Sequence, residues 1–413
     1  MTIKPMCFTG YAITCLVLLC GFENAAAYKA VVITPVADLL GEYAQEGERA
    51  YQHIPVSGEK QHAYDTCKRE HQVLFHEIVE VVEEQHEQVK VAISNFFFVP
   101  KNSNEKRSLF WMLKKDLYPL PVGEEGAVLR ARLPEPMSYQ QPIAQQSNTV
   151  ALILPYRDAR TNSTHSVGTR FVVESLNEEQ QLVTVYRLDK DTHCCTTMTV
   201  PKTQCLFPVD DKDLQRSNFV ALVRLWAHNP LGKIPYVLGG CSFVYAAADI
   251  NFKEVAAENG CSYYALNGVN NTPETGFDCS GLVARAAQMA GLPYFYKNTT
   301  TLASYLTCLS PDKHLCDGDL IWVPGHVMIV SDYERGLVIE ARGYSSGWGR
   351  LHEISLGQLF KDVETFTELE QLFRDQHPLK IIDKAGNVSR TYETFKLLAL
   401  DSVWDQKEFN TQA

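Results

Sequence analysis

Three residues of this chain could work together as a hydrolytic centre. Gly276-Phe-Asp-Cys-Ser-Gly-Leu-Val283 places Cys279 at the start of a stretch with helical spacing. The first turn of a helix offers unpaired N–H groups and a partial positive charge, which stabilise a thiolate and bind a developing oxyanion. Downstream, Gly325-His-Val-Met-Ile-Val330 puts His326 at the start of a β-type run, available as a general base. Glu340, in Val338-Ile-Glu-Ala-Arg-Gly343, sits on the next such run. A carboxylate beside His326 would fix the ring tautomer and raise the histidine pKa, favouring a thiolate–imidazolium pair. Asp278 is suited to cap the helix. His314 and His352 read as bystanders. No metal-ligand spacing stands out, since the histidines are scattered and Cys194-Cys195 lacks the two-residue gap of a zinc knuckle, so no cofactor is expected.

The elements that must position these groups are legible. Apolar spacing at Phe219, Leu222, Val223 and Trp226 predicts a helix over 213–228, and a second is expected from Cys279 to Met289, stopped by Gly291-Leu-Pro293. Runs at 319–323, 326–330 and 337–341 then predict an antiparallel meander, so the fold class is α+β. Upstream the pattern is β. Lys29-Ala-Val-Val-Ile-Thr-Pro35 and Thr149-Val-Ala-Leu-Ile-Leu-Pro155 open two units alike, and 72–83 with 88–94 reads as strands around a turn. Further short strands are expected at 168–173 and 181–186. Two small barrels follow from this, at 28–118 and 148–210, joined by a Pro- and Gln-rich linker at 119–147. The site-bearing domain is then 211–360, and 361–413 is a charged, helix-prone extension.

Composition narrows the class. The 413 residues are 45% hydrophobic with a net charge of −11, which argues against nucleic acid and against an anionic membrane surface as partners. Residues 1–27 carry a charged start, an apolar run and Ala25-Ala-Ala27, the pattern of a cleaved export signal. No later segment is apolar enough to span a bilayer, so no stable membrane insertion is expected after cleavage. Twelve cysteines, less Cys7, Cys15 and Cys20 of the signal, leave nine. In an oxidising compartment the odd count suggests disulfides plus one working thiol, with Cys308–Cys316 and Cys241–Cys261 as plausible local pairs.

Pro235-Tyr-Val-Leu-Gly-Gly240, Gly276-Phe-Asp-Cys-Ser-Gly-Leu-Val283, Gly318-Asp-Leu, Gly325-His-Val and Val338-Ile-Glu-Ala stand in an order that resembles the NlpC/P60 cysteine peptidases of bacterial peptidoglycan. The two β units, through Gln72-Val-Leu-Phe-His-Glu-Ile-Val-Glu-Val81 and Gly168-Thr-Arg-Phe171, are similar to the bacterial SH3 domains of γ-D-glutamyl-L-diamino acid endopeptidases. The resemblance implies a papain-like catalytic domain behind two SH3-like barrels. It implies Cys279 as nucleophile, His326 as base, Tyr236 lining the site, and Asp278 and Ser280 flanking the nucleophile, with Asp278 helping to hold the free amine of an N-terminal L-alanine. The implied substrates are peptidoglycan stem peptides cut at the γ-D-glutamyl–meso-diaminopimelate bond, in the periplasm or cell envelope of a bacterium. The chain departs from the pattern in three places. Glu340 stands where His is usual, Leu238 where Trp is usual, and 35 residues separate Gly240 from Gly276. An anionic substrate calls for local cations, and Arg342 is a candidate. The alternatives are a cell-wall peptide-binding protein without activity, or a cysteine acyltransferase or amidase on the same core.

Overall fold

The structure, a computed structural model, describes residues 27–44, 69–100, 105–139, 148–244, 275–343 and 348–405, with the backbone alone at Phe252–Ala256 and Ser262–Leu266. The expected export signal, Cys67 and Cys261 lie outside the described residues. Among the described residues no helix is long and apolar enough to cross a membrane.

The first β unit is a seven-stranded sheet in the order Arg69–Leu74, Val36–Leu40, Leu109–Leu113, Gln88–Ala92, Ile78–Gln85, Tyr28–Val32 and Leu117–Pro119. The turn expected near 83–88 is there, at Gln85–Gln88. The second unit is a five-stranded sheet, Cys195–Pro201, Leu182–Leu188, Arg170–Asn177, Thr149–Leu152 and Cys205–Leu206. Neither closes into the barrel expected from the sequence, because the outermost strands of each sheet do not pair with one another. In the first unit the outer strand Arg69–Leu74 is engaged elsewhere, against the site-bearing domain. The stretch read as a linker holds a helix, Gly123–Arg130, and Leu129 and Leu133 are buried in the core of the second unit.

The site-bearing domain is built on an antiparallel sheet ordered Arg350–Ser355, Leu337–Arg342, His326–Asp332, Leu320–Val323 and Lys396–Leu398. Helix Lys212–Ala227 starts at Asp211, whose side chain accepts the Leu214 N–H, and buries Phe219, Leu222, Val223 and Trp226 as the spacing predicts. Helix Cys279–Ala290 is buried along its whole length and ends at Gly291, whose φ of 89° is the left-handed cap that glycine tolerates best. Both helices pack on one face of the sheet, against Val327, Ile329, Ile339 and Ala341.

The other face carries Ile321, Val323, Met328, Val330 and Val338, and it is not left to solvent. Residues 361–405 cover it with Phe366, Leu369, Leu379, Ile381 and Phe395. This segment was expected to be helical. It holds one α-helix, Phe366–Arg374, then a hairpin of Leu379–Ile382 with Val388–Tyr392, then the outer strand Lys396–Leu398 of the sheet itself and a short 3-10 turn at Leu400–Trp404. Coverage on both faces explains why the central strands read as continuous apolar runs and not as alternating ones.

A buried polar seam locks the first β unit to this domain. Arg69 pairs with Asp38 at 2.9 Å and donates to the Leu238 carbonyl at 3.0 Å. Gln72 accepts from the Cys241 N–H and the Ser242 hydroxyl. Arg285, on the site helix, reaches back to the Gln72 carbonyl and to Glu77 at 3.0 Å. No disulfide occurs among the described residues, which corrects the expected pairing. Cys308 and Cys316 are separate exposed thiols, and Cys241 is a buried free thiol whose sulfur faces the Gln72 carbonyl and Arg285.

Candidate active site

Close backbone crossings fix Cys279. A side chain at Gly281 would put its first carbon 2.1 Å from the Gly240 carbonyl oxygen, so the helix start and the 235–240 loop can touch only through glycine. Asp278 caps the helix, accepting from the Gly281 N–H and the Ser280 hydroxyl. Cys279 is thereby the first helical residue, 7% exposed. The N–H groups of Cys279 and Ser280 belong to the turn that has no helical acceptor, and they are the donors a developing oxyanion would meet.

Pro324-Gly325, with Gly325 at a φ of 87°, makes the two-residue turn that delivers His326 to the first position of its strand. Cys279 lies close enough to His326 to help raise its pKa. On its other side Nε2 lies 2.6 Å from Glu340 Oε2, which leaves Nδ1 to exchange a proton with the sulfur. His326 therefore has Glu340 as a hydrogen-bond partner and Cys279 as a neighbour.

Electrostatics favour the protonated form of His326 and the ionised form of Glu340. Burial pulls the His326 pKa down, but polar contact with Cys279, the hydrogen bond that the imidazolium donates to Glu340, and the charges of both outweigh it and lift the pKa from 6.5 to about 9. Glu340 is fully buried, which alone would raise its pKa. The Arg342 charge and hydrogen bonds from His326 and His352 hold it well below the usual carboxylate range. A histidine pKa raised in the folded state gives stability that is complete below 6.5 and is lost as pH rises through 9. We therefore expect urea-unfolding free energy to fall by roughly 1–3 kcal/mol between pH 6.5 and 9.5, and His326→Gln to flatten that slope.

His352 is not the bystander it was expected to be. It pairs with Glu340 across adjacent strands, and its Nε2 lies 3.3 Å from Glu340 Oε1. Arg342 has Nη1 3.5 Å from the same oxygen and donates through Nη2 to the Ile382 carbonyl. It steadies Glu340 and does not face outward. His314 is indeed elsewhere, 2.7 Å from Glu370.

Asp278 and Ser280 come together, with a partner that the sequence reading missed. Lys297 Nζ lies 3.0 Å from Asp278 Oδ2 and 3.2 Å from Oδ1, both side chains being buried, and the Gly239 N–H also donates to this carboxylate. Lys297 follows Cys279 by 18 residues in a segment without a motif, so no spacing signalled it. Removing one partner of a buried ion pair leaves the other charge uncompensated. Lys297→Met is thus expected to cost roughly 3 kcal/mol, read as a lowered urea midpoint, with Lys297→Arg costing less. Tyr236 is buried in the same core as Cys279. Tyr294 is fully buried there too, and its hydroxyl has no hydrogen-bond partner among the described residues. No cluster of three or more metal-ligating side chains occurs among the described residues.

No family model and no curated protein matches the chain. Among solved structures it is similar to an NlpC/P60 family protein from Bacillus cereus, at 17% identity and a TM-score of 0.49, over 79% of this chain and 94% of that one. It is also similar to NlpC2 from Trichomonas vaginalis, at 11% identity and a TM-score of 0.28, over 81% of this chain and 95% of the other. A third likeness is to the peptidoglycan hydrolase RipB from Mycobacterium tuberculosis, at 24% identity and a TM-score of 0.21, over 35% of this chain and 62% of RipB.

Proposed function

We propose that the chain is an exported cysteine peptidase of the NlpC/P60 type, acting on peptidoglycan stem peptides at the γ-D-glutamyl–meso-diaminopimelate bond. The observation that carries this reading is the chain Cys279–His326–Glu340, with its thiol at the N-terminus of a buried helix. The Cys279 thiolate attacks the γ-carbonyl, and the negative charge that develops on oxygen is met by the N–H groups of the first helical turn. His326 gives its proton to the departing amine and then takes one from water, which hydrolyses the thioester and restores the thiol. Glu340 holds the imidazolium throughout.

Preference for a free N-terminal L-alanine belongs to this reading as its finest detail. In this chain Asp278 is already neutralised by Lys297, so the amine of such a peptide needs an additional acceptor. The test is mass spectrometry of the protein incubated with L-Ala-γ-D-Glu-meso-diaminopimelate, free or acetylated at the alanine. Release of free diaminopimelate supports the peptidase, and loss of that release on acetylation supports end recognition. A folded, reduced protein that releases nothing from the peptide or from intact sacculi refutes the reading.

A further inference from the structure

The geometry points to a carboxylate-binding rim beside the triad, formed by Lys384 and Arg390 of the C-terminal hairpin with Trp348, that takes an acidic group of the substrate. It rests on the reading of this chain as a hydrolase of acidic peptides. Such a substrate and a protein of net charge −11 repel one another unless cations gather at the cleft. Arg342 cannot serve, since its guanidinium is turned inward to Glu340 and Ile382. Its bond to the Ile382 carbonyl, however, docks the hairpin at the end of strand Leu337–Arg342, next to the triad acid.

Cations then line up on aromatic rings at this edge. Trp348 stacks on His352, with centroids 4.3 Å apart, and His352 touches Glu340. Lys384, in the exposed hairpin turn, lies over the Trp348 ring at 5.7 Å, with Arg350 at 5.8 Å. The Trp348 indole nitrogen is buried and has no acceptor among the described residues. Arg390 and Tyr392 alternate onto one face of their strand, and the exposed Arg390 guanidinium sits 4.9 Å from the Tyr392 ring centre. Arg390 pairs in register with Ile381, the neighbour of the Ile382 carbonyl that Arg342 holds. The nearby acid Asp383 is engaged by the turn N–H groups of Ala385 and Asn387. An ammonium, a guanidinium and an indole N–H are the donors a carboxylate uses.

Binding and turnover should be measured side by side. The full Cys279→Ala chain is titrated calorimetrically with L-Ala-γ-D-Glu-meso-diaminopimelate and with the same peptide carrying its carboxylates as amides, while the native chain is assayed for hydrolysis. The acid is expected to bind about tenfold tighter than the amide, and K384Q/R390Q to cut that preference to about twofold. R390K, which keeps the charge, should retain most of it and controls for misfolding. An acid preference untouched by K384Q/R390Q overturns the rim, whether or not hydrolysis occurs. No hydrolysis by the native chain, with acid binding still dependent on Lys384 and Arg390, overturns the peptidase reading alone. Absence of both binding and hydrolysis overturns both.

Discussion

Cys279→Ala is expected to lower diaminopimelate release by at least about 10³-fold, to the level of a protein-free control. The size follows from the role. Without the thiol there is no acyl-enzyme, and what remains is positioning and the two N–H donors of the helix start. Folding should be little affected, since the sulfur contributes one small buried group to a helix held by Asp278 and by the sheet. Circular dichroism and urea midpoints close to those of the native chain would establish that. A variant retaining more than a few per cent of activity would remove Cys279 from the chemistry. Iodoacetamide labelling gives a second readout, provided it is resolved by peptide mass spectrometry, because Cys194, Cys308 and Cys316 are exposed and will label too.

Glu340→Gln should lower kcat/KM by roughly 10²–10⁴-fold, because a neutral amide no longer stabilises the imidazolium or fixes its tautomer. The interactions that lift the His326 pKa include both the hydrogen bond and the charge of Glu340. Without them that pKa falls, so the alkaline limb of the pH–rate profile moves to lower pH. The same change leaves Arg342 buried without its anion, and a loss of about 3 kcal/mol in stability is expected. His352→Gln touches only the other oxygen of Glu340 and should cost much less in rate. Equal losses in the two variants would mean that Glu340 serves packing and not the imidazolium.

The sequence was most readable where one periodicity dominated. Helix Lys212–Ala227 and helix Cys279–Ala290 fall within a residue of their expected bounds, and the strands carrying His326 and Glu340 within two. Contacts made across strands or between distant segments left no local mark. His352 became a partner of Glu340 through register, and Lys297 reached Asp278 through a turn that no pattern announced. Residues 361–405 misled because their strands are short and half exposed. Val388–Tyr392 buries only Tyr392, so polar residues there resemble a solvated helix face. The clue lay elsewhere, in the continuous apolar runs at 320–323 and 327–330, which demand a cover on both faces. The barrels failed for a related reason, since alternation predicts strands but not which edge closes on which.

The place of Lys396–Leu398 matters for anyone who would cut this protein into parts. A fragment ending near residue 360, where the familiar motifs stop, would strip the ladder partner from Leu320–Val323 and leave its N–H and C=O groups open to the next molecule. It would also bare the apolar face of Met328 and Val330, on the strand that carries His326. Such a fragment is a template for self-association, and inactivity in it would report on aggregation and not on chemistry. Any shortened version of this chain has to run through Trp404.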